Sequence, residues 1–255
     1  MHKHIANQIQ IGEPLILCDE TDSTNDLIWN MAAKGLAEGT AVLAAFQRKG
    51  KGQGNARWES EAGANLLSSC YLRPSFLEAG KQFALNVAVS LAVCDFARLY
   101  LGNRVQLKWP NDIYYGDKKL GGILIENTIQ GNLLCESVVG IGLNINQAYF
   151  GHAISNACSF TSISGQFYKL DALAELLFDK LSKRLTELKL GLRVQQHAEY
   201  LERLLGFGES RSFEYQNQLI KAVIVDVDAQ GYLILDGPYG RMAMNNKEII
   251  FRFDG

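Results

Sequence analysis

The sequence predicts a mixed α/β protein, with a larger N-terminal part and a small all-β unit at the C-terminus. Apolar residues recur at helical spacing in two long segments, 78–100 and 170–190. Around them, short runs rich in Val, Ile and Leu alternate with Gly, Asn and Asp turns. After Gly206 the helical pattern stops, and short strands between tight turns take over. The boundary therefore falls near 205, with residues 1–205 as one domain and 206–255 as a compact barrel.

Residues 15–18 (Leu-Ile-Leu-Cys) read as the first strand. Asp22-Ser23-Thr24-Asn25 follow, four residues whose short polar side chains suit a helix N-cap. The helix they open carries Leu27, Ile28, Met31 and Ala32 on one face and stops at Gly35. Residues 40–46 read as a buried strand, 48–57 as a polar glycine-rich loop, and 65–71 as another strand. Phe83, Val87, Leu91 and Phe96 mark the buried face of the 78–100 helix. Residues 105–109 form a strand that ends at Pro110, which brings no N–H to a ladder. A turn at 115–118 precedes a strand at 120–126, and Gln130-Gly131-Asn132 makes a hairpin into 133–144. Residues 145–169 look irregular, and a short helix at about 194–204 follows the long one. Turns at 228–231 and 236–240 divide the last strands.

The 255 residues include 25 Lys+Arg and 27 Asp+Glu, a formal net charge of −2. With 47% hydrophobic and 20% charged residues, the chain has too much apolar matter for a disordered protein. Its balance disfavours a general nucleic-acid binder, and the tail 206–255 is itself acidic. No apolar run approaches the roughly 20 residues of a membrane span, and residues 1–8 lack a secretory apolar stretch. Cys18, Cys70, Cys94, Cys135 and Cys158 are scattered without C-x-x-C, which favours reduced thiols and a cytoplasmic location. Four histidines leave little for a metal site, and His152 and His197 read as surface residues without a role.

Chemistry concentrates in three places. Residues 48–57 hold Arg48, Lys49, Lys51 and Arg57, no acid, and glycines at 50, 52 and 54. Such glycines let backbone N–H groups approach a ligand, and cations beside them suit phosphate. The segment equally fits a solvated mobile loop, and it matches neither a dinucleotide fingerprint nor a P-loop. Lys108-Trp109-Pro110-Asn111-Asp112 is followed by Lys118-Lys119-Leu120-Gly121-Gly122. A carboxylate past a strand end can hold Mg²⁺ on a nucleotide, and a lysine before a Gly-Gly can neutralise growing charge. The same residues make an ordinary hairpin. Asp22–Asn25 suffice as caps alone, but they offer neutral donors and acceptors to an amide-like ligand. Gly140-Ile141-Gly142-Leu143-Asn144 adds close-approach glycines, or a strand with a bulge.

In this order and spacing the segments resemble the biotin–protein ligase (biotin–[acetyl-CoA-carboxylase] ligase) family from about Ser23 to the C-terminus. Lys108–Asp112 with Lys118–Glu126 is the most specific element. Trp58-Glu59-Ser60, Asn65-Leu66, Ser159–Ile163, Glu248-Ile249 and Arg252 support it. The resemblance implies an α/β (α+β type) fold: a mostly antiparallel sheet backed by helices, as in class II synthetases, plus a C-terminal SH3-like barrel. It also implies a reaction in two steps, with biotin activated as biotinyl-5′-AMP and then passed to a lysine of a biotin carboxyl carrier domain. ATP and Mg²⁺ are then co-substrate and activating ion, biotin is a substrate, and no tightly bound prosthetic group is expected.

By the same resemblance, Ser23, Thr24 and Gln47 would bind biotin's head with backbone help from Gly50, Gly122 and Gly140. Trp58 and Leu124 would wall the site. Lys119, Lys51 and Asp112 would be catalytic, with Asp112 holding the metal. Gln53, Lys108, Asn111, Asn144 and Arg252 would meet the nucleotide. The basic loop would order over the adenylate. Only 22 residues precede Ser23, too few for a helix-turn-helix, so a stand-alone ligase that binds neither DNA nor membrane is expected, as a monomer or homodimer. A lipoate–protein ligase or octanoyltransferase of related fold is the alternative.

One departure has a kinetic consequence. The family's loop usually reads Gly-Arg-Gly-Arg-x-Gly-Arg-x-Trp, whereas this chain has Lys51 at the first arginine and Gln53 at the second. Gln53 carries no charge for a phosphate, and lysine lacks the guanidinium fork. Biotinyl-AMP release is therefore expected to be faster here than from an arginine-containing homologue. Stopped-flow dissociation measures this, and an equally slow release would refute it.

Overall fold

The structure is a computed structural model that describes residues 8–151 and 156–253. Its first seven strands are β1 Leu15–Thr21, β2 Ala41–Gln47, β3 Leu66–Leu72, β4 Val105–Lys108, β5 Asp112–Tyr115, β6 Lys118–Gln130 and β7 Leu133–Leu143. The helices are α1 Thr24–Ala32, α2 Phe83–Leu101, α3 Phe160–Ser164, α4 Leu170–Lys189 and α5 Arg193–Glu202. The strands join in the order β1-β2-β3-β7-β6-β5-β4, and only β1 with β2 is parallel.

Strand alternation assigns the two faces. Ala41, Leu43, Cys70, Leu72, Val139, Ile141 and Leu143 join the main core with α2 and α4. Their neighbours Val42, Tyr71 and Val138 pack on the other side against Ile28 of α1. Both faces of the central strands are thus covered, which is why every residue of β3 is buried.

β8 Ser210–Tyr215, β9 Gln218–Val227, β10 Leu233–Gly237, β11 Gly240–Met244 and β12 Ile249–Phe251 form a second, antiparallel sheet in the order β11-β10-β9-β8-β12. It shares a core with the first: Phe213, Ile224 and Leu235 belong to the same buried cluster as Leu91 and Leu107. β4 is the seam. Leu107 accepts from the Leu205 N–H at 2.7 Å and donates to the Arg203 carbonyl at 2.9 Å. One residue beyond β4, the buried Trp109 indole N–H donates to the Gly231 carbonyl at 2.9 Å. Gly231 sits at φ +93°, and a Cβ there would lie 2.6 Å from the Phe83 ring.

Several expectations change. The first strand runs on to Thr21, β5 occupies residues the reading left without an element and leads into the expected turn, and α3 occurs where irregular chain was expected. β5 is short because Pro110 ends β4 and Gly116, at φ +57°, turns the chain back. Of the two readings of 140–144 the strand carries no bulge there, since the ladder with β6 shifts register at Thr128/Ile129. Ala79–Arg104 is, contrary to expectation, long and apolar enough to cross a membrane, and it lies mostly buried inside the fold. His197 is no idle surface residue, because its Nε2 meets Asp226 at 2.9 Å between α5 and β9. His152 lies outside the described residues. All five thiols are unpaired.

Trp109→Phe keeps most of the buried ring and deletes its donor, leaving the Gly231 carbonyl without that partner. A loss of about 1–3 kcal/mol in urea-unfolding stability is expected, with an unchanged m-value.

Candidate active site

The sheet face beneath α1 stops being filled where β6 and β7 carry glycine. Register places Gly142 between Leu67 and Gly122, with Asp112 next in the row, and Gly140 between Ser69 and Leu124. Three missing side chains leave a cleft of about 200 Å³ at the N-terminus of α1. Its glycines are sterically required. A Cβ at Gly142 would lie 2.6 Å from the Trp58 indole, and one at Gly140 would collide with the Asn25 amide. Trp58 therefore roofs a floor of bare backbone, with its buried Nε1–H unpartnered by the protein.

The N-cap of α1 is built unusually. Ser23 occupies the cap position with an extended backbone, yet its side chain makes no capping bond. Gln47, at the end of β2, takes over: its Oε1 accepts from the Thr24 N–H at 2.7 Å and the Thr24 hydroxyl at 3.0 Å. The Ser23 hydroxyl is left to the cleft wall. Beneath it the Ser69 hydroxyl lies 2.6 Å from both Thr24 Oγ1 and Asn25 Oδ1, and the Asn25 amide donates to Glu126 at 2.8 Å. Buried polar groups are costly unless partnered, so this chain of contacts fixes the wall.

The opposite wall carries charge. Lys119 Nζ lies 2.6 Å from Asp112 Oδ1 and 5.9 Å from the centroid of the Trp58 ring. Its backbone is gripped from the other side, the Lys119 N–H donating to the Asn156 carbonyl and its carbonyl accepting from the Cys158 N–H. Asn111 is held by paired bonds to Ile123 at 2.7 and 2.9 Å. One carboxylate, Asp112, thus faces the cleft beside a lysine. No cluster of three His, Cys, Asp or Glu exists among the described residues, so an ion here would need ligands from a bound nucleotide.

Residues 50–58 fold as a small hairpin over the cleft, with Trp58 N–H to the Gly50 carbonyl at 2.9 Å, Gly52 N–H to the Ala56 carbonyl at 2.8 Å, and Lys51 opposite Arg57. Arg48 and Lys49 pair with Asp22 outside the cleft. Lys51 pairs with Asp26 and lies 3.9 Å from Glu126. The Asp26 bond holds the Lys51 ammonium above its ordinary pKa.

Twelve predicted residues meet in this cleft: Ser23, Thr24, Gln47, Lys51, Gln53, Trp58, Asn111, Asp112, Lys119, Gly122, Leu124 and Gly140. Four do not reach its lining. Gly50 instead lets the chain pass the Trp58 backbone, where a Cβ would strike the Trp58 carbonyl. Lys108 lies beneath, its Nζ 4.6 Å from the centroid of the Phe251 ring and 5.5 Å from that of Tyr114; burial pushes its pKa down. The buried Asn144 commits its amide to the Cys158 carbonyl at 3.1 Å. Arg252 pairs with Glu214 within the second sheet. Asn25, Arg57, Ser69 and Gly142 belong to the site or its support without having been assigned to it. The visible signal was Ser68-Ser69, a polar pair inside an apolar strand; alternation sends Ser69 to the cleft face and Ser68 to the other.

Residues 17–144 match the biotin/lipoate A/B protein ligase family. The bifunctional ligase/repressor BirA of Escherichia coli (strain K12) is 28% identical over 92% of this chain and 72% of its own length. The matches to the Salmonella typhimurium and Bacillus proteins of that name span 42–43% of those proteins. The biotin–[acetyl-CoA-carboxylase] ligase of Paracoccus denitrificans is 28% identical over 91% of this chain and 98% of that protein. Among solved structures, the biotin protein ligase of Aquifex aeolicus in complex with biotin and ATP superposes with a TM-score of 0.78 at 24% identity, covering 94% of this chain and 99% of that one.

Gly142→Ala would drive a methyl group into the Trp58 ring. The expected result is an indole displaced toward solvent, seen as red-shifted emission absent from a Trp58→Phe control, with about 1–3 kcal/mol of lost stability.

Proposed function

The chain belongs to the biotin/lipoate A/B protein ligase family, and from that membership we propose that it activates biotin with ATP and transfers it to a carrier-domain lysine. The carrying observation is the Lys119–Asp112 pair, 2.6 Å apart beside a glycine floor and under an indole. A carboxylate is a poor acyl donor until its oxygen becomes a good leaving group. In the first step an oxygen of biotin's carboxylate attacks the α-phosphorus of ATP. The bond from that phosphorus to the bridging oxygen breaks, and pyrophosphate leaves. In the second, the amine of the acceptor lysine attacks the acyl carbon and loses a proton, and the acyl–phosphate bond breaks to release AMP.

Each residue's task follows from its place. The Ser23 hydroxyl, freed from capping, and the Trp58 N–H meet the polar head of biotin. The Thr24–Gln47 bonds keep that wall rigid, and Leu124 with the glycine floor takes the apolar ring edge. Lys119 faces the reacting carboxylate and α-phosphate, where charge grows during transfer. Asp112 is a fit for Mg²⁺ arriving with the nucleotide, since such ions are commonly bound by one or two carboxylates plus phosphate oxygens. Asn111, Gln53 and Lys51 line the nucleotide side. Asn144 acts at one remove, through the segment carrying Cys158. Arg252 would have to leave Glu214 to reach a nucleotide. The five-stranded C-terminal sheet supports the reading of 206–255 as an SH3-like domain, and the unpaired thiols support a cytoplasmic setting.

The acceptor we infer is a biotin carboxyl carrier domain of acetyl-CoA carboxylase type, the name borne by the Paracoccus denitrificans relative. Because the family description includes lipoate enzymes, lipoate and octanoate are the rival acids. The test is acid-dependent exchange of labelled pyrophosphate into ATP. Exchange with biotin alone is expected, exchange with lipoate alone would change the substrate, and none with any acid would remove the activity. Lys119→Gln is expected to lower the exchange by about 100-fold or more.

A further inference from the structure

A second cavity, of about 480 Å³, shares no lining residue with the cleft and has the size of an ordinary small-molecule site. It lies where the N-terminal ends of α2 and α5 meet the end of β9. Phe83, Ala84, Val87, Val194, Val227 and Ala229 give it an apolar lining. Its charge is divided, with Lys81 and Arg193 on the helix side and Asp226 and Asp228 on the strand side. Both acids are already engaged. Asp226 Oδ1 meets His197 Nε2 at 2.9 Å and accepts from the Val227 N–H, and Asp228 Oδ1 accepts from the Gln230 and Tyr232 N–H groups. Of the cations, Lys81 bonds Glu78 at 2.6 Å, whereas Arg193 makes no ion pair among the described residues. Lys81 and, from farther away, Arg193 hold the Glu78 carboxyl below its ordinary pKa, two cations to one acid. Arg193 is also the first residue of α5, which opens with no side-chain cap and no acid in its first turn. The guanidinium and the positive end of the helix therefore add instead of cancelling.

We propose that this cavity is a binding site for a hydrocarbon-tailed monocarboxylate, with the tail on Phe83, Val87 and Val227 and the carboxylate on the Arg193 guanidinium. The planar fork of an arginine matches the two oxygens of a carboxylate. The apolar lining supplies affinity in proportion to the hydrocarbon it covers. The site stands whether or not the cleft binds biotin. It adjoins the support of the cleft all the same: the turn that carries Asp228 and Ala229 leads to Gly231, whose carbonyl holds the Trp109 indole two residues before Asn111.

The experiment is isothermal titration calorimetry with hexanoate, octanoate and decanoate on wild type, Arg193→Ala, Val194→Asp and Lys119→Gln. Arg193 and Val194 are exposed side chains, Val194 to 72%, so both variants should melt as wild type does in the absence of acid. Affinity is expected to rise about fourfold with each methylene until the cavity is filled. Arg193→Ala and Val194→Asp should each weaken decanoate about tenfold or more. Lys119→Gln alters the cleft and should leave decanoate binding within about twofold of wild type. Decylammonium, of the same length and opposite charge, should bind about tenfold more weakly or worse. No binding of decanoate by wild type, equal binding by Arg193→Ala, or equal binding of decylammonium would overturn the proposal. A loss confined to Lys119→Gln would place the acid in the cleft and overturn it too. The ligase reading stands or falls separately, on pyrophosphate exchange, which these titrations do not use.

Discussion

The side-chain oxygen of Gln47 accepts from both the backbone and the hydroxyl of Thr24, and much of the cleft depends on that pair of hydrogen bonds. It joins the end of β2 to the first turn of α1 and performs the capping that Ser23, at the cap position, does not. From Thr24 the contacts continue inward through Ser69 to Asn25 and on to Glu126, reaching the strand that opposite walls of the site share. A buried polar series of this kind is stable only if each member is partnered. It therefore fixes α1 at one height above the sheet, and with it the depth of the cleft.

Glycine sets the other dimension. Gly142, Gly122 and Gly140 lie in two adjacent cross-strand rows, so the cleft is a region of sheet stripped of side chains rather than a gap between domains. The row of Gly142 and Gly122 ends at Asp112, whose partner Lys119 stands near the same indole that covers the glycines. Position and charge are thus delivered by register. A slip of one residue would send each of these side chains to the opposite face.

What could be read from the sequence was what is local to it. The cap residues, the basic loop and the Lys108–Gly122 segment are each local in the chain, and each sends several members into the cleft. Residues that do not reach the cleft lining are engaged with partners that the local sequence does not show. Asn144 looked able to read a base, but it bonds Cys158, fourteen positions on. Lys108 and Arg252 looked like nucleotide ligands, yet aromatic rings surround one and Glu214 holds the other. Ser69 read as an ordinary strand residue because its meaning lies in the cross-strand row, whereas Gly142 was legible as a close-approach glycine but not as the floor beneath Trp58. Of the helices, only α3 was absent from the reading. Its capping box at Ser159–Ser162 is too short a pattern to generate an apolar period.

The seam at β4 makes the division of the chain and the division of its stability different things. Residues after 205 form their own sheet, but Phe213, Ile224 and Leu235 fill the same interior as Leu91 and Leu107. Cutting the chain there would expose one face of that interior and strip the carbonyl partner from Trp109, two residues before Asn111. Heat or denaturant is therefore expected to meet one cooperative block. The C-terminal sheet acts as a keystone: it comes last along the chain, yet it closes the interior on which the strand ends beside the cleft rest.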